Sequence, residues 1–390
     1  MTTPRLLNDH SAMTSLGASR RSMLLVLHPV FALTGVADAV TGPMLPSLAR
    51  AFHLSDSQSG ALLFYFFTGT AVGALLCRGN YARVLTLGLL ALACTCLSIA
   101  WVPRLLLFPW AFCLGIGVGA PLTAVCLFVG RNYPARRAAT LTLLNFTWSI
   151  GALLAPLLVA RMLAVSSWRG VYMVLAGASL LAAMAVGLMI RDSEEAVRPA
   201  PETTGLRNVR FLALFAFFFF LEVGMESTFG AWISTYVLRT THTTVTLAAA
   251  AAAIYWAGFL VARGLSPLAL LRVRPERLLE LALFAALAAA TLLVIGGSPV
   301  LLLAAILLLG AAMAPIFPLA LSAFLDRARH SSDTSFLFAL SGFGGSVFPW
   351  LVGTISAHTG SLRAGLIAGP ATLLAMIALL PLLGMRVRKN

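Results

Sequence analysis

Long apolar segments are the feature that most restricts what this chain can fold into. Residues 211–236 and 364–383, for example, contain very few charged side chains over the ~20 residues that a helix needs to cross a ~30 Å hydrocarbon core. Of the 390 residues, 60% are hydrophobic and 10% are charged, whereas a soluble domain carries about 25% charged residues. Lipid must therefore be the main solvent of the folded chain.

Backbone hydrogen bonding limits the architectures that can cross a bilayer to helices and closed β-barrels. Barrel strands alternate apolar and polar residues in short segments, but the apolar runs here are longer and little interrupted. We therefore predict an all-α membrane protein with twelve transmembrane helices. The predicted spans lie near residues 24–49, 57–77, 84–102, 105–130, 138–163, 168–190, 211–238, 243–264, 276–296, 298–325, 333–357 and 361–384.

A polar segment divides these spans into two sets of six. The sequence predicts an N-terminal tail at 1–22, a first six-helix bundle at 23–190, a linker at 191–210, a second six-helix bundle at 211–384 and a C-terminal tail at 385–390. Most of the 27 Lys and Arg residues fall on the side that holds both tails and the linker. The positive-inside rule makes this side cytoplasmic, as expected for a multi-pass protein of the inner or plasma membrane.

Three short segments recur in the same order in the two sets of spans. Residues 71–79 are similar to 256–264, residues 151–156 to 344–349, and residues 38–42 to 226–230. The recurrence indicates a duplicated six-helix unit, and therefore two pseudo-symmetric bundles. Such halves can rock about a site near the bilayer midplane, which is the physical basis of alternating access.

Prolines and glycines indicate where helices bend or pack closely. Pro315 and Pro318 predict a bend or a discontinuity in the tenth span. The series Gly115, Gly117 and Gly119 suits close helix packing, or a kink together with a proline two residues later.

Charge and cysteine patterns argue against several other classes of function. The net charge of +14 comes from arginines dispersed between apolar runs, which does not predict a nucleic-acid partner. The five cysteines lie in or beside apolar segments without His at metal-ligand spacing, so we expect no metal and no cofactor. No nucleophile–base motif is present, so an enzyme is not predicted. No oligomer interface is indicated, and a monomer is expected.

Three acids lie well inside predicted spans, Asp38, Glu222 and Glu226, whereas Glu276 and Glu280 lie at the mouth of the ninth span. An ionised side chain at the midplane costs roughly 2.5–3.5 kcal/mol on insertion scales, so such residues usually face a wet cavity or a partner. No Lys or Arg is predicted at a comparable depth. Glu222 and Glu226 share one helix face because they are four residues apart. All three are candidates for substrate binding and proton coupling, with neutral interhelical hydrogen bonding as the alternative.

Aromatic and amide side chains near the same level could recognise a sugar. An aromatic ring packs on the C–H face of a sugar while its N–H or O–H bonds a hydroxyl, and an amide both donates and accepts. Interfacial anchoring and helix–helix packing are the alternatives. Trp232 ranks first because it shares a helix with two acids. The candidates are Asn145, Trp148, Trp232, Tyr255, Trp256 and Trp350.

Taken together, these features resemble the Major Facilitator Superfamily over about residues 24–384. In the superfamily's loop between spans two and three, Gly73 and Arg78 match the expected glycine and basic residue, whereas Cys77 replaces the acid and Asn80 the second glycine. The resemblance implies the major facilitator fold and a gating role for Gly73, Arg78 and Arg263, the last standing where Arg78 stands in the first half.

Segments 144–156, 257–263 and 344–353 are more similar to one branch, the sugar transporters related to bacterial fucose permease and to sodium-linked glucose carriers. The run 222–226 followed by Trp232 is similar to that branch's seventh helix. Asp38 matches the first-helix acid that fucose permeases use in proton-linked sugar binding, but their second acid, in span four, is absent here. Proton-driven drug antiporters often carry an arginine in span four, where Ala111 stands in this chain.

The resemblance implies a secondary transporter that moves a sugar or similar polyol by alternating access, with a proton or sodium as the coupling ion. The alternative is a proton-coupled exporter of drugs or other small hydrophobic compounds. A sugar site needs several convergent polar groups, whereas an exporter cavity can be mainly apolar with one acid. The polar side chains of the central cavity therefore distinguish the two.

Overall fold

The computed structural model describes residues 23–132, 137–189, 209–327 and 331–385, and this part of the chain is helical without β-strands. The predicted N-terminal tail 1–22 lies outside the described residues. So do most of the predicted linker 191–210 and nearly all of the predicted C-terminal tail 385–390.

In the described ranges, fifteen α-helices form twelve segments that correspond to the predicted spans. In the first half they are α1 Met23–Ala39, α2 Thr41–Phe52, α3 Asp56–Leu75, α4 Tyr81–Ser98, α5 Leu107–Asn132, α6 Arg137–Val165 and α7 Trp168–Met189. In the second half they are α8 Val209–Thr241, α9 Val245–Ala269, α10 Pro275–Ile295, α11 Pro299–Met313, α12 Ile316–Leu325, α13 Ser331–Thr359, α14 Leu362–Leu366 and α15 Ala368–Leu379. The pairs α1–α2, α11–α12 and α14–α15 each make one segment.

By length and composition, eight of these segments can cross a membrane, or nine if the bent pair α1–α2 is one span. The other three are α3, α8 and α13, all of which lie at or beside the contact between the two halves. The protein is therefore an all-α membrane protein of two six-helix bundles, whose less apolar segments lie at the contact between the halves.

The first span is broken near its middle, where α1 and α2 meet at an angle of 42°. The cause is local, because Pro43 and Pro46 have no amide hydrogen. The carbonyls of Ala39 and Gly42, four residues earlier, therefore lose their usual helical partners. The sequence analysis expected a continuous first span, so this break is a correction to it.

The discontinuity predicted in the tenth span is confirmed. Helix α11 ends at Met313 and α12 begins at Ile316, with Pro315 between them. Proline removes one helical hydrogen bond and crowds the preceding turn, which accounts for the interruption at this point.

The two halves meet mainly through the helix pairs α3 with α13, α6 with α9, and α2 with α8, and α2 also contacts α9. In two of the pairs glycine sets how closely the backbones approach. A Cβ atom at Gly42 would overlap the carbonyl oxygen of Gly230, and one at Gly60 would press on the backbone of Trp350 and Gly353. Any larger residue at Gly42 would push the halves apart at this level.

One end of the molecule is closed by polar contacts between the halves. Helix α3 begins at Asp56 because the Ser55 hydroxyl accepts from the Gln58 amide and the Gln58 side chain accepts from the Ser55 amide. The Asp56 carboxylate then receives two hydrogen bonds from Arg239 of α8 and one from the Ser356 hydroxyl of α13. We call this end, defined by Asp56, Arg239 and Ser356, the closed face.

Candidate functional site

A small cavity lies between the halves near the middle of the spans, and we call it the central cavity. Its volume is about 40 Å³, which holds about three water molecules. It is too small for a sugar in this conformation, so any larger ligand requires the halves to separate. Its lining comes from both halves: Asp38, Ala39, Thr41, Gly42, Phe67 and Trp148 from the first, and Glu226, Ser227, Gly230, Ala231 and Trp256 from the second.

Two carboxyl groups face each other across this cavity. Asp38 ends the last full turn of α1, beside the break, and Glu226 lies near the middle of α8. Each is partly exposed to the cavity, and the two groups interact electrostatically. They occupy equivalent positions in the internal repeat, as do Gly42 and Gly230, which also meet. The structure thus brings the two copies of the 38–42 motif together at the contact between the halves.

Two tryptophans from opposite halves form the aromatic part of the cavity. The rings of Trp148 in α6 and Trp256 in α9 pack edge to face, with centroids 5.7 Å apart and an interplanar angle of 78°. The indole N–H of each is buried and has no hydrogen-bond partner, and the same holds for the Thr41 hydroxyl. An unpaired buried polar group costs about 1–3 kcal/mol. Three such groups around one cavity make it the candidate binding site of the molecule, because each can still form a hydrogen bond there.

A second group of polar side chains lies beside the cavity. Glu222 is completely buried, and neither of its carboxyl oxygens has a hydrogen-bond partner. The Tyr255 hydroxyl is also buried and unpaired. Both groups interact electrostatically with Arg263, and Glu226 does so from the cavity side. Electrostatic interactions thus connect this cluster to the cavity carboxyl groups.

The prediction that no basic residue reaches the depth of these acids was wrong, because Arg263 does. Helix α9 continues to Ala269 rather than ending near residue 264, so Arg263 lies well inside the span. Its long side chain leans toward the N-terminus of α9, and therefore toward the membrane centre. The guanidinium lies 4.4 Å from the ring centroid of Phe259 and donates to the Ser149 hydroxyl of the other half over 3.1 Å.

Besides Glu222 and Tyr255, three further residues predicted to bind substrate lie outside the central cavity: Asn145, Trp232 and Trp350. The buried indole N–H of Trp232 donates to the Pro349 carbonyl over 3.0 Å, which joins α8 to α13. Trp350 is 40% exposed on the surface of α13. The amide of Asn145 is exposed and donates to the Leu141 carbonyl of its own helix. The placement of Trp232 matches the packing alternative, whereas Asn145 bonds only its own helix and the Trp350 side chain is exposed.

The three predicted gating residues are not brought together. Gly73 is buried against the backbone of Ile116 and Ala120 in α5, so it packs two helices of the same half. Arg78 is exposed in the turn that follows α3. Only Arg263 contacts the opposite half, through its hydrogen bond to Ser149.

Sequence reasoning missed Thr41, Phe67 and Ser227, which line the cavity. Serine, threonine and phenylalanine are common in membrane helices, so residue type alone gives no signal for Phe67 or Ser227. Thr41 had one available signal, since it precedes two prolines that interrupt the helix and comes three residues after Asp38. Within the described ranges, no group of three or more His, Cys, Asp or Glu residues is placed to hold a metal ion.

A fold of two six-helix bundles around a central cavity that contains two carboxyl groups is typical of a membrane transport protein of the alternating-access type. The sequence-family model of the Major Facilitator Superfamily matches residues 27–335 of this chain. The chain therefore belongs to this superfamily.

The relatives of this chain include a glucose/mannose transporter, GlcP, of Bacillus subtilis, which is 25% identical over 92% of this chain and 94% of its own length. A sodium-dependent glucose transporter 1A of Mus musculus is 24% identical over 85% of this chain and 89% of its own length. Among solved structures, the Major Facilitator Superfamily transporter FucP in the outward conformation matches with a TM-score of 0.62 and 18% identity. That match covers 92% of this chain and 98% of FucP.

Proposed function

We propose that the protein is a secondary transporter that moves a sugar or a similar polyol across the membrane by alternating access. The observation that carries the proposal is the set of unpaired polar groups around the central cavity. The indole N–H groups of Trp148 and Trp256 can donate to sugar hydroxyl oxygens, and the carboxyl groups of Asp38 and Glu226 can accept from sugar hydroxyl hydrogens. The sugar names of the curated relatives support the same class of substrate.

The polar lining favours a sugar over a hydrophobic compound. Asp38, Thr41, Glu226 and Ser227 all present polar side chains, in addition to the two indoles. A cavity that binds apolar drugs gains most from apolar surface, and each unpaired polar group inside it would remain a cost. The exporter alternative is therefore disfavoured by the chemistry of this site.

The two halves supply separate parts of the site, which suits alternating access. Asp38 and Trp148 belong to the first half, whereas Glu226 and Trp256 belong to the second. A sugar bound between them gains all its contacts only when the halves approach, so binding can drive closure around it. Separation of the halves at either end would then release it on that side.

The closed face is the external side of the membrane in this proposal, and both chain termini are cytoplasmic. The excess of Lys and Arg on the opposite side supports this orientation. The domain division follows, with a first bundle at 23–190 and a second at 211–384 joined by a cytoplasmic linker. The transporter acts as a monomer in the inner or plasma membrane.

Coupling to an ion requires a site whose charge changes during transport. Asp38, Glu222 and Glu226 are the intramembrane groups that can accept a coupling cation, either a proton or sodium. Asp38 and Glu226 border the cavity directly, whereas Glu222 lies behind it beside Tyr255 and Arg263.

Uptake into proteoliposomes that contain the purified protein tests the proposal. Labelled glucose, mannose and galactose should enter with saturable kinetics and should be competed by the unlabelled sugars. Asp38→Asn and Glu226→Gln should each reduce this uptake strongly. Thr228→Val is a matched control. Thr228 is buried in α8, the helix of Glu222 and Glu226, but its hydroxyl donates to the Gly224 carbonyl of the same helix and it does not line the cavity.

Two results would contradict the proposal. Uptake of all three sugars at the rate of protein-free liposomes would remove the sugar assignment. Transport of hydrophobic cations by the wild type, lost in Asp38→Asn, would establish the exporter alternative in its place.

A further inference from the structure

The break in the first span brings several oxygen atoms to the central cavity. The proposed sugar binding assigns a role to only some of them. We infer that the junction of α1 and α2 is a sodium-binding site, formed by the Asp38 carboxylate, the Thr41 hydroxyl and the backbone carbonyl of Ala39. The inference deepens the proposed function, since it names the ion that such a transporter would couple to sugar movement. The binding step itself can be measured without any sugar.

The donor set consists of oxygen atoms that lack protein partners. The Thr41 hydroxyl is buried, with the residue only 6% exposed, and has no hydrogen-bond partner. The Ala39 carbonyl has lost its helical partner because Pro43 carries no amide hydrogen. Asp38 adds a carboxylate, and all three residues line the central cavity. Hard cations prefer carboxylate, carbonyl and hydroxyl oxygens of this kind.

The electrostatic field at the junction also favours a cation. Helix α1 ends at Ala39 and α2 begins at Thr41, so the partial charges of the two helix ends oppose each other there, and the favourable field comes from the carboxyl groups. Asp38 lies in that last turn, and Glu226 approaches from α8. Broken helices whose freed carbonyls and C-terminal ends hold a cation are a recurrent solution in transporters.

Other titratable and charged groups around the junction do not neutralise it fully. On α8, Glu226 adds a second carboxyl group and Glu222 a third, farther away. On α9, Arg263 interacts with both glutamates. In the described part of the chain, neither Asp38 nor Glu226 takes part in an ion pair within 4 Å.

The size of the cavity selects a small, largely dehydrated ion. A volume of about 40 Å³ admits one ion with one or two waters. Magnesium keeps several waters in a strict octahedron, and calcium takes about 6–8 oxygen ligands, often including several carboxylates. The three proposed ligands include one carboxylate, from Asp38, and two neutral oxygens, a set that suits a monovalent cation better than either of these, while Glu226 lies across the cavity and adds to the negative field.

The test is thermal unfolding of the purified wild-type protein in sodium chloride or choline chloride, at equal ionic strength and without sugar. A bound ion raises the melting temperature in proportion to the logarithm of its concentration over Kd. We expect saturable stabilisation by sodium over choline, with potassium less effective. Titration of intrinsic tryptophan fluorescence with sodium chloride gives a second measurement, because Trp148 and Trp256 border the same cavity.

Three variants locate the site. Asp38→Asn should abolish the sodium-specific stabilisation. Thr41→Val removes one ligand without changing shape, and Pro43→Ala gives the Ala39 carbonyl an amide partner again. Each should raise the half-saturating sodium concentration about tenfold. This value is at the low end of the loss of metal affinity that follows removal of one residue supporting a metal site. Thr228→Val and Pro156→Ala are the matched controls, since neither Thr228 nor Pro156 lines the cavity.

The outcomes separate this inference from the proposed function. Equal stabilisation by sodium and choline, or a sodium effect that persists unchanged in Thr41→Val and Pro43→Ala, overturns the sodium site. Stabilisation by acidification alone, equal in both salts, also overturns it and assigns the cation as a proton. Sugar uptake without sodium binding would support the proposed function and overturn the sodium site. Sodium binding without sugar uptake would support the sodium site and overturn the proposed function. If Asp38→Asn does not fold, the other two variants decide the result.

Discussion

The closed face and the central cavity are both built where the two halves meet, yet their polar groups are treated in opposite ways. At the closed face, Asp56 is satisfied by Arg239 and Ser356 from the other half. In the cavity, the indoles of Trp148 and Trp256 are buried without partners. The first arrangement is complete without a ligand, whereas the second is not.

In the proposed function, this difference separates residues that stabilise one conformation from residues that bind the substrate. A buried polar group without a partner persists only where something else compensates, and a ligand is the simplest compensation. Trp232 illustrates the rule within one residue type, because its indole N–H is bonded to Pro349 and it lies away from the cavity. The most informative experiments therefore alter one region and ask whether the other responds.

The largest effect is expected from Gly42, where the backbones of α2 and α8 touch. Gly42→Val places a branched side chain onto the Gly230 carbonyl, so the halves cannot close between the cavity and the closed face. Sugar uptake into proteoliposomes should be lost. Gly177→Val is the control and should transport normally, since a Cβ there meets no atom within 4 Å. Normal uptake by Gly42→Val would mean that close approach of the halves is not needed for transport.

A smaller effect is expected from the unpaired indoles. Trp148→Phe and Trp256→Phe keep an aromatic ring but remove the N–H donor, so each should weaken sugar binding about tenfold, as for loss of one neutral hydrogen bond of about 1.4 kcal/mol. Sugar competition in uptake assays measures the change in KM. Melting temperature should fall little, because no protein hydrogen bond is lost. An unchanged KM in both variants would remove these N–H groups from the site.

The sequence predicts which residues lie inside the membrane spans, but it does not predict the direction in which each side chain points. The apolar runs located all twelve segments, and the acids at Asp38 and Glu226 were singled out because charge is rare at that depth. Trp148 and Trp232 had equal standing by depth, yet only Trp148 faces the cavity. Which face of a uniformly apolar helix meets its neighbour depends on tertiary packing, and the sequence holds no periodic signal for it.

Trp232, whose indole N–H has a protein partner, tests the same comparison with the opposite expectation. Trp232→Phe removes the hydrogen bond that joins α8 to the Pro349 carbonyl of α13, which should lower the free energy of unfolding by about 0.5–1.5 kcal/mol. Thermal unfolding in detergent measures the loss. The KM for sugar should stay unchanged, in contrast to Trp148→Phe. A raised KM with normal stability would return Trp232 to the list of substrate contacts.

The smallest effect is expected at the Asp56–Arg239 ion pair. The Arg239 side chain is 46% exposed, and ion pairs of this kind contribute about 0.2–1 kcal/mol. Asp56→Asn should therefore shift the balance toward separation of the closed face by at most about fivefold. A cysteine-reactive probe at an introduced cysteine beneath the closed face would report the shift. High salt should produce part of the same change in the wild type and none in Asp56→Asn.

The pH dependence of this ion pair has a definite sign. Asp56 and Arg239 lie at the outer ends of their helices, beyond the apolar segments that cross the hydrocarbon core. Partial burial acts to raise the pKa of Asp56, but hydrogen bonds from Arg239 and Ser356 and the charge of Arg239 outweigh it, so the pKa lies below its ordinary 3.8. The stabilisation is then complete above that ordinary value and is lost only as pH falls through the lowered pKa. Probe accessibility should stay constant from neutral pH to about pH 5; a rise within that range would show that another group controls the closed face.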